Sequence, residues 1–172
     1  RTFADMPRPS RNDEAWRRTD LKLLDLDQGA AIVSPPPPSP KPLLHAPADW
    51  KRSLNAAHLA GGMVNLDGGL AFRRLDEQLA ARGVIFTDMG AVLRDHPQLV
   101  EPHFMTQAVL PQSGYFAALH GAFWRSGLFL YVPRGVEVEL PFVNYTWLYR
   151  AESALPHTLV VMEAGARATL IE

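Results

Sequence analysis

Apolar residues in the last third of the chain follow one pattern twice, at a constant spacing. The first copy covers residues 130–140 and turns at Gly135, and the second covers residues 160–170 and turns at Gly165. Each copy has a short apolar run, a turn at glycine and then a stretch of strict alternation, which is typical of strands. A strand-built repeat of this period predicts a β-helix, because one coil alone cannot bury its apolar face.

The pattern before the repeat is mixed and predicts a small α+β cap over residues 48–127. Asp67 and Gly68 stand between two short apolar runs and predict a β-hairpin, because both residues tolerate a positive φ. Gly83 is the predicted end of a short helix, and Asp88 is the predicted N-cap of the next one. We expect this region to cover the unpaired strand edges at the start of the solenoid.

Two further helices are predicted before the repeat begins. Pro97 suits the first turn of one helix, which Pro102 must shorten or bend. Ser113 is the predicted N-cap of the last helix, and Gly127 is its predicted end. The period of apolar residues changes from helical to two after Gly127, so we assign residues 128–172 to the start of the β-helix core.

The first quarter of the chain predicts an arm and a tether. Residues 1–33 form a charged arm in which residues 12–18 are a predicted short helix, and Trp16 is the predicted anchor that docks on the body or on a partner. Residues 34–47 contain seven of the fifteen prolines, which predicts a stiff polyproline-II linker. A spacer is favoured for this tract, and a ligand for an aromatic groove is the alternative.

Composition narrows the classes of function. Hydrophobic residues make up 47% of the 172 residues, so a packed core is expected. A net charge of −1 argues against binding to nucleic acid, and no apolar run reaches the roughly 20 residues of a membrane span. The chain has no cysteine, so it forms no disulfides and no thiolate-bound metal sites. No secretion signal is recognisable, and we expect a cytoplasmic protein and the front of a longer chain.

Candidate chemical residues are few, and no catalytic, cofactor-binding or metal-binding motif is predicted. His120 and His157 are interpreted as structural residues, one hydrogen-bonded on a helix and the other at a turn. Glu137 and Glu139 share one strand face, where they could serve acid–base chemistry or hold a cation. A solvated outer face of the sheet explains this pair more simply.

Two local patterns are interpreted as coincidence. Residues 61–67 superficially match one calcium-binding nonapeptide of a β-roll, but the pattern occurs once and a hairpin explains it better. Asn144, Tyr145 and Thr146 form an N-glycosylation pattern in a chain without a secretion signal.

A β-helix enzyme that acts on polysaccharide would gather Asp, Arg or Lys on one strand face around calcium. The strands of residues 128–172 offer Glu137, Glu139 and Arg167 but no Asp, so this alternative is weak.

Three stretches in order resemble the SufB/SufD family of iron–sulfur cluster assembly scaffolds, and are closer to its SufD members. Residues 11–21 are similar to the family opening E-x-W-R-x-T-D-L, with Arg18 where the family more often has Tyr. The second stretch comprises residues 83–88 and 96–100, and the third runs over residues 116–161. The order and spacing match over nearly the whole chain.

The resemblance implies an N-terminal helical region, a right-handed parallel β-helix core and a C-terminal helical region. It further implies SufB-like and SufC-like partners, ATP on the SufC subunit, and an iron–sulfur cluster and flavin in the complex. The family's SufC-binding helices and cluster-linked core residues lie in later parts, so no catalytic, cofactor or metal residue is carried onto this chain.

We therefore expect a non-enzymatic scaffold subunit. A β-helix carbohydrate-active enzyme and a proline-rich interaction module are the alternatives. The edge strands over residues 158–171 are also expected to make the isolated chain self-associate.

Overall fold

The computed structural model describes residues 3–21, 54, 58–149 and 154–172. The predicted proline-rich linker at residues 34–47 and residues 22–33 of the predicted arm lie outside the described residues. Among the described helices, none has the length and apolar character that crossing a bilayer requires.

Short strands and helices alternate along the described chain. The strands are β1 (Gly61–Leu66), β2 (Gly69–Leu75), β3 (Ile85–Asp88), β4 (Leu128–Val132), β5 (Phe142–Trp147), β6 (Leu159–Met162) and β7 (Leu170–Ile171). The helices are α1 (Glu77–Ala81), α2 (Met89–Asp95), α3 (Pro97–Val100) and α4 (Tyr115–Phe123), with 3₁₀ turns at Phe3–Asp5 and Pro111–Ser113.

The strands form two sheets, with orders β2-β1-β5-β7 and β3-β4-β6. In each sheet an antiparallel strand from the region before the repeat forms one edge, since β2 pairs with β1 and β3 pairs with β4. The predicted hairpin between β1 and β2 is confirmed, and its turn residues Asp67 and Gly68 have φ values of 50° and 79°.

The two copies of the repeat pair with each other in parallel; the first copy, from β4 to β5 (residues 128–147), is called the first coil, and the second, from His157 through β6 and β7 (residues 157–172), the second coil. Leu130 pairs with Val160 across β4 and β6, in the register that the repeat predicts. The turn glycines also stack, because a Cβ built on Gly165 would lie 3.7 Å from the Cα of Gly135. Hydrogen bonds join the turns, such as the 3.1 Å bond from the Gly135 amide to the Ala164 carbonyl. The prediction that the two copies lie one against the other is therefore confirmed.

The predicted strands of strict alternation after each glycine are wrong in extent. Only one isolated parallel bridge, between Glu137 and Arg167, forms in this stretch. Further along, Leu170 pairs with Phe142, whereas the repeat would pair it with Leu140, so the first copy holds two extra residues before its strand. Pro141 precedes β5 and has no amide hydrogen to donate to a ladder, which delays the strand by these residues.

Apolar side chains from both sheets meet in one core. Its fully buried members include Met63 on β1, Phe86 on β3, Leu130 on β4 and Phe142 on β5, and the rings of Phe86 and Phe142 lie 5.0 Å apart. A second cluster fills the space between helices α2 and α3 and the other face of β4, where Phe129 is fully buried.

Helix boundaries are confirmed in the middle of the cap. The Asp88 carboxylate caps α2 by accepting from the Ala91 amide at 3.1 Å, and Pro97 is the first residue of α3. Gly83 follows α1 with a φ of 84°, as expected of a residue that ends a helix.

Three predicted helix features are wrong. The predicted helix at residues 12–18 does not form. These residues make successive hydrogen-bonded turns instead, such as the 2.9 Å bond from the Trp16 amide to the Asp13 carbonyl. Ser113 lies in the preceding 3₁₀ turn, and the N-cap of α4 is Gly114, which has no side chain to cap with. The helix ends at Phe123, well before Gly127, which serves a different packing role described below.

Candidate functional site

The N-terminal segment docks on helix α4 through aromatic rings. Trp16 packs on Phe116 with ring centroids 4.9 Å apart, so the predicted docking of Trp16 on the body is confirmed. Phe3, which the sequence did not single out, packs on Tyr115 at 5.1 Å and on Phe123 at 5.5 Å. Both anchors are half-buried, so each leaves part of its ring at the surface. The outer face of α4 is therefore the docking surface of the described arm.

The segment that follows the same helix meets the start of the second coil. Gly127 packs so closely on His157 that a Cβ at this position would overlap the main-chain atoms of His157. The Leu128 amide donates to the His157 carbonyl at 3.0 Å, and the His157 amide donates to the Ser126 carbonyl at 3.1 Å. Gly127 thus provides close approach between the cap and the second coil.

Two histidines face each other across this junction. Nε2 of His120, on α4, lies 2.9 Å from Nδ1 of His157, within hydrogen-bond distance. The predicted hydrogen bond of His120 is confirmed, and its partner, His157, was not predicted. Burial lowers the pKa of His120, and burial followed by the charge of His120 lowers the pKa of His157.

The two predicted glutamates lie on the exposed face of the coil. Val136 and Val138 are buried, and the alternate residues Glu137 and Glu139 are exposed, which supports the solvated-face interpretation. Glu137 forms a loose ion pair of 3.7 Å with Arg167, and both of these side chains are largely exposed. An exposed pair of this kind contributes only about 0–1 kcal/mol, so it aligns the coils weakly.

Polar side chains form a chain of hydrogen bonds across three neighbouring strands or strand ends. The buried Asn65 amide donates to the Asn144 side-chain oxygen at 3.1 Å, and the Asn144 amide donates to Glu172 at 2.9 Å. The Thr158 hydroxyl also donates to Glu172, at 2.8 Å. Asn144 is only 3% exposed, so the fold does not present it as a glycosylation acceptor.

The second coil leaves one edge of each sheet unpaired, because β6 and β7 are the terminal strands in the two sheet orders. Val160, Met162 and Ile171 on these strands are exposed to 41%, 40% and 50%. In the first coil the corresponding core positions, such as Leu130 and Val132, are buried. The second coil therefore presents apolar side chains beside unpaired backbone groups, which is the usual signature of a strand-addition surface.

A cleft between two strands is a further concave feature of the described residues. The cleft has a volume of about 480 Å³, runs between the edge strands β2 and β3 and is lined by Arg73, Arg74 and apolar residues. The Arg73 guanidinium donates to the Thr87 hydroxyl at 2.8 Å, which ties the two strands together. Within the described ranges, no group of three or more histidine, aspartate or glutamate side chains is placed to hold a metal ion.

Comparison with known proteins finds one family that matches the middle of this chain. The family described as the SufBD protein N-terminal region matches residues 63–143, from β1 through the cap and the first coil into β5. Over these residues the chain is similar to the SufBD family. The SufBD match contains helix α4 and Gly127, and it stops before the second coil.

The chain is also similar to several proteins that are named for iron–sulfur cluster assembly. The iron–sulfur cluster assembly protein SufB of Bacillus subtilis is 27% identical over 99% of this chain and 37% of its own length. The iron–sulfur cluster assembly protein SufD of Bacillus subtilis is 38% identical over 63% of this chain and 25% of its own length. An iron–sulfur cluster assembly SufBD family protein of Mycobacterium bovis is 32% identical over 66% of this chain and 14% of its own length. The chain thus spans little more than a third of the SufB relative.

Proposed function

We propose that this chain provides the N-terminal cap and the first two coils of a parallel β-helix in a scaffold subunit for iron–sulfur cluster assembly. The observation that carries this proposal is the parallel pairing of β4 with β6 in the register of the repeat, which joins the residues that match the SufBD N-terminal region to the second coil. A scaffold needs a rigid body on which partners meet, and stacked coils supply one.

The sheet topology supports a right-handed parallel β-helix that continues past the second coil. One edge of each sheet is an antiparallel strand, β2 or β3, and the other edge is a parallel strand of the second coil, β7 or β6. A third coil that continued the parallel stacking would pair with β6 and β7, which carry the repeat to the edge of each sheet.

We place the chain closer to SufD than to SufB. The SufD relative is 38% identical over its matched part, and the SufB relative is 27% identical over a longer one. The proposed partners are SufB-like and SufC-like subunits in the cytoplasm. The iron–sulfur cluster is the product of the assembled complex, ATP is bound by the SufC-like subunit, and flavin belongs to the complex without a site assigned on this chain.

The role proposed for the described residues is structural and non-enzymatic. The buried polar residues Asn65 and Asn144 bond to each other, and Thr87 accepts from Arg73, so these side chains serve the fold. The exposed Glu137 is paired with Arg167 and lies on the solvated face of the coil. No observation favours the polysaccharide-active alternative, and the tract needed for the proline-rich interaction module lies outside the described residues.

Co-purification and a genetic test address this proposal together. A tagged copy of the protein that carries this sequence should retain SufB-like and SufC-like subunits from its own cell. Inactivation of its gene should lower the activity of iron–sulfur enzymes such as aconitase without lowering the amount of their polypeptides, and the intact gene should restore it. If the tagged protein retained no such subunit and its loss left the iron–sulfur enzyme activities unchanged, the proposal would be contradicted.

A further inference from the structure

The contact between His120 and His157 joins two separate parts of the fold. His120 lies on α4 in the cap, and His157 lies just before β6 in the second coil. Their facing nitrogens are 2.9 Å apart and their ring centroids are 5.1 Å apart, so one ring donates a proton that the other accepts. Such a bond requires that one of the two facing nitrogens carries no proton.

Two aromatic rings pack against the His157 ring. Phe104, from the segment after α3, lies 4.7 Å from the His157 ring, and Trp124, at the C-cap of α4, lies 6.0 Å from it. Both imidazoles are half-buried. Burial lowers the pKa of His120, and burial followed by the charge of His120 lowers the pKa of His157. The Glu172 carboxylate accepts from Thr158, the residue after His157, and so is engaged with the Thr158 hydroxyl.

The proton state of the pair is linked to the main chain at the junction. His157 is held to the end of the cap by the Leu128 amide and the Ser126 carbonyl, and the Arg125 amide donates to the Leu155 carbonyl at 3.2 Å. His157 lies in one of these two segments, and His120 lies on α4, which directly precedes the other. A change that pushes the rings apart therefore pulls directly on these backbone bonds.

We propose that the His120–His157 pair is a pH-sensitive clasp, which holds helix α4 to the start of the second coil when neutral and releases it when both rings are protonated. With both rings charged, each facing nitrogen carries a proton, so the hydrogen bond becomes a repulsion between two cations 2.9 Å apart. The clasp is a property of this fold and does not depend on the proposed scaffold role.

The direction of the pH dependence follows from the lowered pKa values. The unfolded or released state has the ordinary histidine pKa of about 6.5, and the clasped state has lower values. As the pH falls below about 6.5, the released state binds more protons than the clasped one. The contribution of the clasp is thus complete above this pH and is lost progressively below it.

An NMR titration of the histidine side chains in the 172-residue protein tests the titration part of the proposal. We expect both rings to titrate below pH 6.5, and we expect the midpoint of His157 to rise in His120→Gln. His103 is exposed and has no ring partner among the described residues, so His103→Gln is the matched control and should leave both midpoints in place. Midpoints at or above 6.5, or a His157 midpoint that ignores His120→Gln, would overturn the clasp.

Hydrogen exchange tests the release itself. After correction for intrinsic rates, the protection of the Leu128 and His157 amides should fall at least tenfold from pH 7.5 to pH 5. The Phe142 amide, which bonds to the Thr169 carbonyl at 2.8 Å in the coil, should change less than threefold. Equal loss at all three amides, or no loss at Leu128 and His157, would overturn the local release. This readout uses the unmodified protein, so it does not depend on a variant that folds.

Discussion

Gly127 lies against the main chain of His157, so closely that any side chain at Gly127 would overlap the His157 carbonyl. Gly127→Ala should therefore destabilise the protein by roughly 3 kcal/mol or more, because both the backbone at φ 132° and the junction must shift. Urea unfolding monitored by circular dichroism measures the effect. Gly114→Ala is the matched control, since Gly114 also has a positive φ but has open space around it. Equal costs for the two variants would contradict the close-approach role.

Trp16 should anchor the arm less strongly than a fully buried tryptophan would. It is half-buried on Phe116, so Trp16→Ala should weaken docking by about 1–2 kcal/mol through lost apolar contact. Limited trypsin digestion at Arg17, which is exposed, reports the loosening as faster cleavage. The control Asn12→Ala changes an exposed side chain and should leave the rate as it is. Unchanged cleavage in Trp16→Ala would show that the ring contact does not hold the arm.

The turn glycines should be required because their backbone has a positive φ, and not because a side chain would lack room. Gly165 has a φ of 77°, and Gly165→Ala should cost about 1 kcal/mol because an alanine rarely adopts this conformation. Gly69 has an ordinary φ, and a Cβ added to it would meet only one atom, a carbonyl oxygen at 3.7 Å, so Gly69→Ala is the control and should be close to neutral. Thermal unfolding measures both variants. If Gly69→Ala lowered the midpoint as much as Gly165→Ala, the requirement for glycine at the turn would be contradicted.

The edge of the second coil should make the 172-residue chain self-associate. Met162→Lys places a charge on the β6 edge, where it should block strand addition between copies. Leu140→Lys is the matched control, because Leu140 is also about two-fifths exposed but lies in the first coil. Sedimentation velocity should show mass rising with concentration in the unchanged protein and in the control, and a monomer in Met162→Lys. A clean monomer of the unchanged protein at high concentration would refute self-association.

The parts of the fold that depend on local chemistry could be predicted from the sequence. The hairpin at Asp67 and Gly68, the N-cap Asp88 and the paired turns at Gly135 and Gly165 each follow from what one or two residues tolerate. The period of the repeat predicts which residues pair across β4 and β6, because apolar positions recur at that spacing.

The parts that depend on distant contacts were not predictable. Gly127 marks a helix end by its sequence context, and only the position of His157 in space shows that it serves close approach. The late start of β5 after Pro141 changes the register between the copies, which the apolar pattern alone does not reveal. The contact between His120 and His157 joins residues 37 positions apart and leaves no periodic signal.

Cross-linking of the two turns measures the stacking of the coils most directly. The chain has no cysteine, so Arg134→Cys with Ala164→Cys introduces one pair of thiols at exposed positions of the successive turns. Neighbouring strands of a sheet lie about 5 Å apart, which a disulfide can span. Under dilute oxidising conditions this pair should form an intramolecular disulfide nearly completely, and Arg134→Cys with Thr169→Cys should not. Equal cross-linking of both pairs, or none in the first, would contradict the stacked coils.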